Sequence, residues 1–380
     1  MVDPRTWTRA SSAQGYIYPI MNRRNLNIIA KAFVTRILIR NNTAYAVEFE
    51  RENRTYSVQA NREIILSAGS VNTVQILQLS GIGPRDELSR LNIPLISDLP
   101  VGKFFQDHLF TPLLFRVNNA SDVNWSRFIS SRLTVNNLYH YYIHQTGPLT
   151  QFVTSFNAAA SPSNNDSHWP DIFTGNSAVQ IGDAILNTVN RIANDPPAWL
   201  NYLKPLYNDQ RVFALFAALY RVYSRGTVRL ASKDPYQAPL IDPNLLADPR
   251  DMTAAIEGMQ FLLNMTDGDY FRSVASFYDE PLPGCENELC HEGVPLRFCR
   301  RYLACHIRML GSISWHGVSS ARMGTNETNS VVDSRLRVHG IRSLRVIDAS
   351  VMPEIPNANI NAAVYAIAEK GADIIRRNLQ

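Results

Sequence analysis

The stretch "REIILSAGSVNTVQILQLSGIG", residues 62 to 83, constrains the fold more than any other in the chain. "EIILSAG" is a short apolar run ending in Ser67-Ala68-Gly69, and "VNTVQILQLSG" after it spaces its aliphatic residues as a helix does. A strand, a tight glycine turn and a helix amino terminus are therefore expected in succession. Such a turn leaves backbone N–H groups free to receive an anion or a dinucleotide. Taken alone, it reads more readily as an ordinary β-to-α connection.

Upstream, "NLNIIA", "FVTRILIR", "AYAVEFER" and "TYSVQA" are β-rich runs parted by polar breaks, the pattern of an antiparallel meander that leads into the strand above. Between residues 111 and 225 the patterning is aromatic-rich and irregular, and "AASPSNNDSHWPD" within it reads as a surface loop. "LADPRDMTAAIEGMQFLL" is a helix with Asp248 as cap, Pro249 at its first position and Met252, Ile256, Met259 and Leu263 on one face. Near the end, "SLRVIDAS" reads as a strand, Ser343 to Ile347, with Asp348 at its carboxyl end. "INAAVYAIAEKGADIIRR" repeats Ala362, Tyr365, Ala368, Ala372 and Ile375 at helical spacing, with Arg376 and Arg377 suiting its last turn. Asn359 then lies at or just before a helix amino terminus, where an asparagine can simply be a cap. The whole is a mixed α/β chain with no internal repeat.

At 380 residues, 45% apolar and 18% charged, the chain can bury a large core. A net charge of +4 with the signs interspersed offers no basic footprint for a nucleic acid. The longest apolar run, Val212 to Leu219, is far short of the roughly 20 residues that span a bilayer. "MVDPRTWTR" at the start lacks the apolar centre of a signal peptide. The four cysteines, Cys285, Cys290, Cys299 and Cys305, fall within 21 residues. Their Cys-x4-Cys and Cys-x5-Cys spacings are loose for zinc even with His291 and His306 nearby, and two disulfides in a secreted protein suit them better. Seven Asn-x-Ser/Thr sequons, among them Asn41, Asn264 and Asn326, agree with an extracellular location.

Taken together, these segments resemble the glucose-methanol-choline (GMC) oxidoreductase family, most closely its insect glucose-dehydrogenase-like branch. "SAGSVNTVQILQLSGIG" is similar to a family signature, "LPVGKFFQDH" to the segment after it, and "SRGTVRLASKDPYQAPLIDPNLLADPRD" to the opening of the carboxyl-terminal domain. "SWHGVSSARMG", residues 314 to 324, with the "SLRVIDASVMPEIPNANINAAVYAIAEK" that follows, resembles the catalytic end. The resemblance implies a Rossmann-like FAD-binding domain, and a substrate domain with an antiparallel sheet and flanking helices. It also implies FAD as cofactor, an alcohol or sugar as substrate, and oxygen or a quinone as electron acceptor. His316 matches the catalytic base, a task imidazole suits because its pKa lies near physiological pH. Asn359 matches its partner, whose amide can hydrogen-bond the same oxygen. Val34, Ser67, Ala68, Gly69, Trp315, Asp348, Ala349, Ile360 and Asn361 match or adjoin positions that meet the flavin nucleotide. A carboxylate such as Asp348 at a strand end suits sugar hydroxyls. No metal is implied. Cys285 and Cys305 match cysteines of insect members, which leaves Cys290 and Cys299 as a nested second pair.

The implied domains are 1–110, the rear part of the FAD-binding domain; 111–310, the substrate domain; and 311–380, the catalytic return to the first. Three departures stand out. No G-x-G-x-x-G occurs anywhere, so the chain reads as the rear part of a longer enzyme, or as a non-catalytic fragment unable to hold FAD. Phe104 stands where the "VGxN" segment usually has asparagine, and Ala321 where a cysteine is common.

Overall fold

The structure, a computed structural model, describes residues 10–118, 134–150, 154–160, 168–177 and 212–377. The first sheet is a three-stranded antiparallel meander of β1 (Phe33–Arg40), β2 (Thr43–Arg51) and β3 (Arg54–Gln59). Both of its hairpins close in two residues, Asn41-Asn42 and Glu52-Asn53, all four at positive φ. Those backbone angles belong to the turn whose twist matches that of paired strands, and asparagine enters them at low cost. The "NLNIIA" run ahead of β1 is not a strand: it runs outside the sheet, with Ile28 and Ile29 about half exposed. Apolar alternation suits a strand, but only a neighbouring edge makes one.

Next come β4 (Ile64–Leu66) and the helix α1 (Gly69–Leu79), joined by the expected turn. β4 pairs in parallel with β13 (Leu344–Val346), so the carboxyl ends of both strands, at Ser67 and Asp348, open on the same side. α1 buries Thr73, Val74, Ile76 and Leu77, and Ser80 at its end accepts the N–H of Ile37 in β1.

The second sheet has six strands: β5 (Leu109–Val117), β6 (Thr154–Ala160), β7 (Ile172–Ser177), β8 (Val212–Leu219), β11 (Ala275–Phe277) and β12 (Ser312–Ile313). β8, the longest apolar run of the sequence, is central, between β5 and β7; β11 and β12 share the outer edge of β5. A separate pair, β9 (Thr227–Arg229) and β10 (Leu240–Asp242), follows β8. Of the "AASPSNNDSHWPD" loop, residues 161–167 lie outside the described residues, and Ala159-Ala160 belong to β6.

One face of the six-stranded sheet is covered by α2 (Pro249–Met265) and α3 (Arg300–Leu310). Alternate residues Leu109, Leu113, Phe115, Ile172, Ala217 and Leu219 meet Met259, Leu262, Leu263, Tyr302 and Leu303 there. Gly258 lets α2 approach closely, since a Cβ on it would stand 2.6 Å from Ile172 Cδ1. α2 begins as expected, with Asp248 accepting the N–H of Arg250 and Pro249 in the first turn. Asp251 in that turn is buried and accepts from the N–H groups of Tyr223 and Ser224, tying the helix to the end of β8. Two nested disulfides, Cys285–Cys305 and Cys290–Cys299, fix the segment before α3 to that helix.

The last helix, α4 (Asn361–Arg377), shares only part of its packing face, Ile375, with the one its spacing suggests. Ala362, Ala368 and Ala372 are exposed, while Ala363, Val364, Ile367 and Ile375 meet the two cores. Gly371 is buried, and a Cβ there would stand 2.8 Å from Ile347. Alanine is compatible with both faces of a helix, so its period marks neither. The second core gathers β1, β4, α1, residues 99–105, 321–338 and β13. Among the described residues no helix is long and apolar enough to cross a membrane.

Candidate active site

Three consecutive residues just before β5 assemble the site. Gln106 donates to the carbonyl of Val222 and accepts from the Ile355 N–H. Asp107 accepts the backbone N–H groups of Ser314 and His316 at 3.1 and 3.0 Å. His108 sets its Nδ1 2.9 Å from His316 Nδ1 and its Nε2 3.1 Å from the Pro356 carbonyl. The loop carrying His316 and the segment leading to Asn359 are thus fastened to one short peptide. Trp315 is held at φ +54, a conformation non-glycine residues seldom adopt, and its side chain is 69% exposed.

The structure brings His316 and Asn359 together through Tyr220. Its hydroxyl donates to Asn359 Oδ1 at 2.6 Å, and its ring lies edge-on to His316 with centroids 6.3 Å apart. The same ring stacks on His108 at 4.1 Å and on Phe173 at 4.4 Å. Among the described residues nothing hydrogen-bonds His316 Nε2. Burial lowers the pKa of His316, so the ring is neutral at neutral pH and able to take a proton. His108 is driven further, to about 3, by burial first and by the charge of His316 second. Asp107 moves the other way, up to about 6, because burial outweighs the N–H groups that favour its charged form.

At the parallel strand ends the expected anion site is already filled. The N–H of Ala68 donates to Thr73 Oγ1 and that of Gly69 to Asp348 Oδ2, at 3.2 and 2.9 Å. Asp348 also accepts from the Thr73 hydroxyl and from the N–H and hydroxyl of Ser350. Its carboxylate staples the two strand ends together and has no lone pair to spare for a sugar hydroxyl; an anion beside it would be repelled. What remains open is the surface of the turn. Ser67 and Ala68 are exposed, and a Cβ on Gly69, at φ +82, would meet nothing within 4 Å. A flat ring can approach that backbone directly, so the turn fits the planar part of a nucleotide better than its phosphates.

The other expected residues are spread around this frame. Ser67 donates to the Ile347 carbonyl, and Ala349 opens a one-turn helix capped by Asp348. Ile360 packs against the first core and Asn361 starts α4. Val34 lies in β1 against the second core. Sequence reasoning missed Asp107, His108 and Tyr220, and also Ser70, whose hydroxyl donates to the Gly317 carbonyl beside His316. The "QDH" triplet was the available signal. Two polar residues and a histidine directly before a buried strand must find partners. Among the described residues no group of histidine, cysteine or carboxylate side chains could hold a metal ion.

Comparison with known proteins agrees with this architecture. The family models described as GMC oxidoreductase match residues 1–110 and 222–368. The chain is 32% identical to an alcohol dehydrogenase [acceptor] of Pseudomonas putida, over 98% of this chain and 62% of that protein. It is 29% identical to the glucose dehydrogenase [FAD, quinone] of Drosophila melanogaster, over 98% and 56%. Insect relatives therefore stand level with a bacterial one. A solved FAD-dependent oxidoreductase from Chaetomium thermophilum superposes with a TM-score of 0.76 at 24% identity, covering 99% of this chain and 66% of that one. The chain spans between 50% and 62% of the length of the curated relatives it matches. With both family models met over more than half of its length, the chain belongs to the GMC oxidoreductase family.

Proposed function

We propose that this protein oxidises the CH–OH group of an alcohol or sugar, with FAD as cofactor, His316 as base and Asn359 as its partner. The observation that carries the reading is the half-buried His316 ring, kept neutral by burial and joined to Asn359 through Tyr220. FAD, when bound, supplies the acceptor for the hydride that leaves the carbinol carbon. His316 takes the hydroxyl proton as the carbonyl forms. With its Oδ1 held by Tyr220, Asn359 has its Nδ2 to offer to the substrate oxygen, a donor that strengthens as negative charge develops there. The open backbone at Ser67, Ala68 and Gly69 would hold part of the cofactor, with Trp315, Ala349, Ile360, Asn361 and Val34 completing the set; Asp348 would act on the turn rather than on the nucleotide. Oxygen or a quinone would serve as the final electron acceptor.

The division at residue 110 is supported by the two cores, one centred on the six-stranded sheet and the other on the β4–β13 pair, and residues 311–380 pack into both. An extracellular setting is supported by the two disulfides. A second reading, a protein of this fold that does not retain FAD, is favoured by the internal use of the Ala68 and Gly69 N–H groups. Purified protein separates the two. Flavin absorbance that bleaches anaerobically on addition of an alcohol supports the enzyme; a colourless protein that takes up no added FAD supports the second reading.

A further inference from the structure

The contact between His108 and His316 joins the same nitrogen of each ring, and the partners on either side decide which one carries the proton. The Pro356 carbonyl can only accept, so His108 Nε2, 3.1 Å away, must be an N–H. His108 is fully buried and neutral at neutral pH, and a neutral imidazole has a single N–H. Its Nδ1 is therefore a bare acceptor. At 2.9 Å the facing nitrogen, His316 Nδ1, must donate. A neutral His316 that carries its proton on Nδ1 has Nε2 unprotonated.

The alternatives fail on the same geometry. A proton on His108 Nδ1 would make a buried imidazolium or leave Nε2 facing a carbonyl oxygen lone pair to lone pair. Among the described residues Asp107 makes no hydrogen bond to the His316 ring, and its Oδ1 accepts the backbone N–H groups of Ser314 and His316. Tyr220 presents its ring edge to His316 and spends its hydroxyl on Asn359. Stacking on Tyr220 at 4.1 Å with planes 12° apart keeps the His108 ring from turning.

We propose that His108 is a positioning residue that fixes His316 in the Nδ1–H tautomer, so that Nε2 faces the site as the proton acceptor. A base in the opposite tautomer would present an N–H where the substrate hydroxyl must give up its proton. His108 thus acts through His316 and touches no reacting atom. The idea rests on His316 being the base, but its test does not.

The test is the ring-nitrogen spectrum of the full chain labelled with 15N in its histidines, recorded near pH 7.5 without flavin or substrate, with His316 assigned from a His316→Gln sample. His316 is expected to show a protonated Nδ1 and an unprotonated Nε2, and His108 the reverse. A protonated Nε2 on His316 overturns the proposal outright, whatever any variant does. His108→Leu removes the acceptor and should move the His316 proton to Nε2 in a large fraction of molecules. His108→Gln, which keeps an acceptor and a donor, should retain the native pattern, and a pattern unchanged in His108→Leu overturns the proposal too. In protein that carries FAD, His108→Leu should slow reduction by alcohol about 100-fold or more, with His108→Gln recovering much of it. If the spectra behave as stated while His316→Ala reduces at the wild-type rate, the assigned tautomer stands and the catalytic reading falls.

Discussion

Two polar centres lie close together on opposite sides of the Ser70–Gly317 contact, and they are built to opposite rules. At Asp348 each carboxylate oxygen receives two donors, from Gly69 and Thr73 on one side and from Ser350 twice on the other. At His316 and Asn359 each side chain is hydrogen-bonded at one end only among the described residues, by His108 and by Tyr220. A saturated centre contributes to stability and is chemically idle. A centre fixed at one end keeps its orientation and still has a group to react with.

That contrast can be broken by exchanging what each centre loses. His316→Ala should lower the rate of alcohol-driven flavin reduction by about 10²–10⁴-fold, the usual worth of a positioned base. It should cost only about 1–3 kcal/mol of stability, because His108 Nδ1 loses its partner; equal losses in both would erase the distinction. Asp348→Ala should behave in reverse, removing on the order of 3–5 kcal/mol in urea unfolding by stranding four donors. A stability near that of the wild type would show the carboxylate to be less committed than its contacts suggest.

Titration sharpens the comparison further. His108 and His306 have folded pKa values depressed to about 3 and about 4, chiefly by burial, so the stability they confer is complete above the ordinary histidine range. It is lost as pH falls from about 6.5 through those values, since the unfolded chain takes up the protons first. Asp107, raised to about 6, has the opposite sign: its contribution is full below the ordinary aspartate value of about 4 and lost as pH rises through 6. Denaturation between pH 6 and 4.5 should thus lose about 1.4 kcal/mol per pH unit for each net proton, and His306→Gln should flatten the slope. The smallest effect lies at Phe104, held at φ +64 with Arg322 5.0 Å from its ring centroid. Phe104→Asn should stabilise by about 0.5–1 kcal/mol through relief of that backbone conformation. A loss in melting temperature would mean that the Arg322 contact outweighs it.

The local rules were legible in the sequence. The strand, turn and helix at 64–79, the Asp248-Pro249 start of α2 and the strand ahead of Asp348 rest on neighbours within a few residues. The family resemblance supplied His316 and Asn359, which their own surroundings did not. What could not be read were contacts set by the fold, such as His108 meeting His316 across 208 positions and Tyr220 meeting Asn359 across 139. The same limit explains the misjudged face of α4, where Gly371 marks the contact and alanines stand on either side. The four donors that Asp348 gathers from Gly69, Thr73 and Ser350 were hidden in the sequence for the same reason.

The triplet Gln106-Asp107-His108 has a bearing on how this region could change over generations. Together these residues grip three strips of chain, at Val222, at Ser314 and His316, and at Ile355 and Pro356. Inserting or deleting one residue between Gly102 and Leu109 would misalign all three grips at once, whereas the disulfide-closed segment from Cys285 to Cys299 could lengthen without moving any of them. Length variants that keep their chemistry should therefore gather in that segment and avoid the triplet.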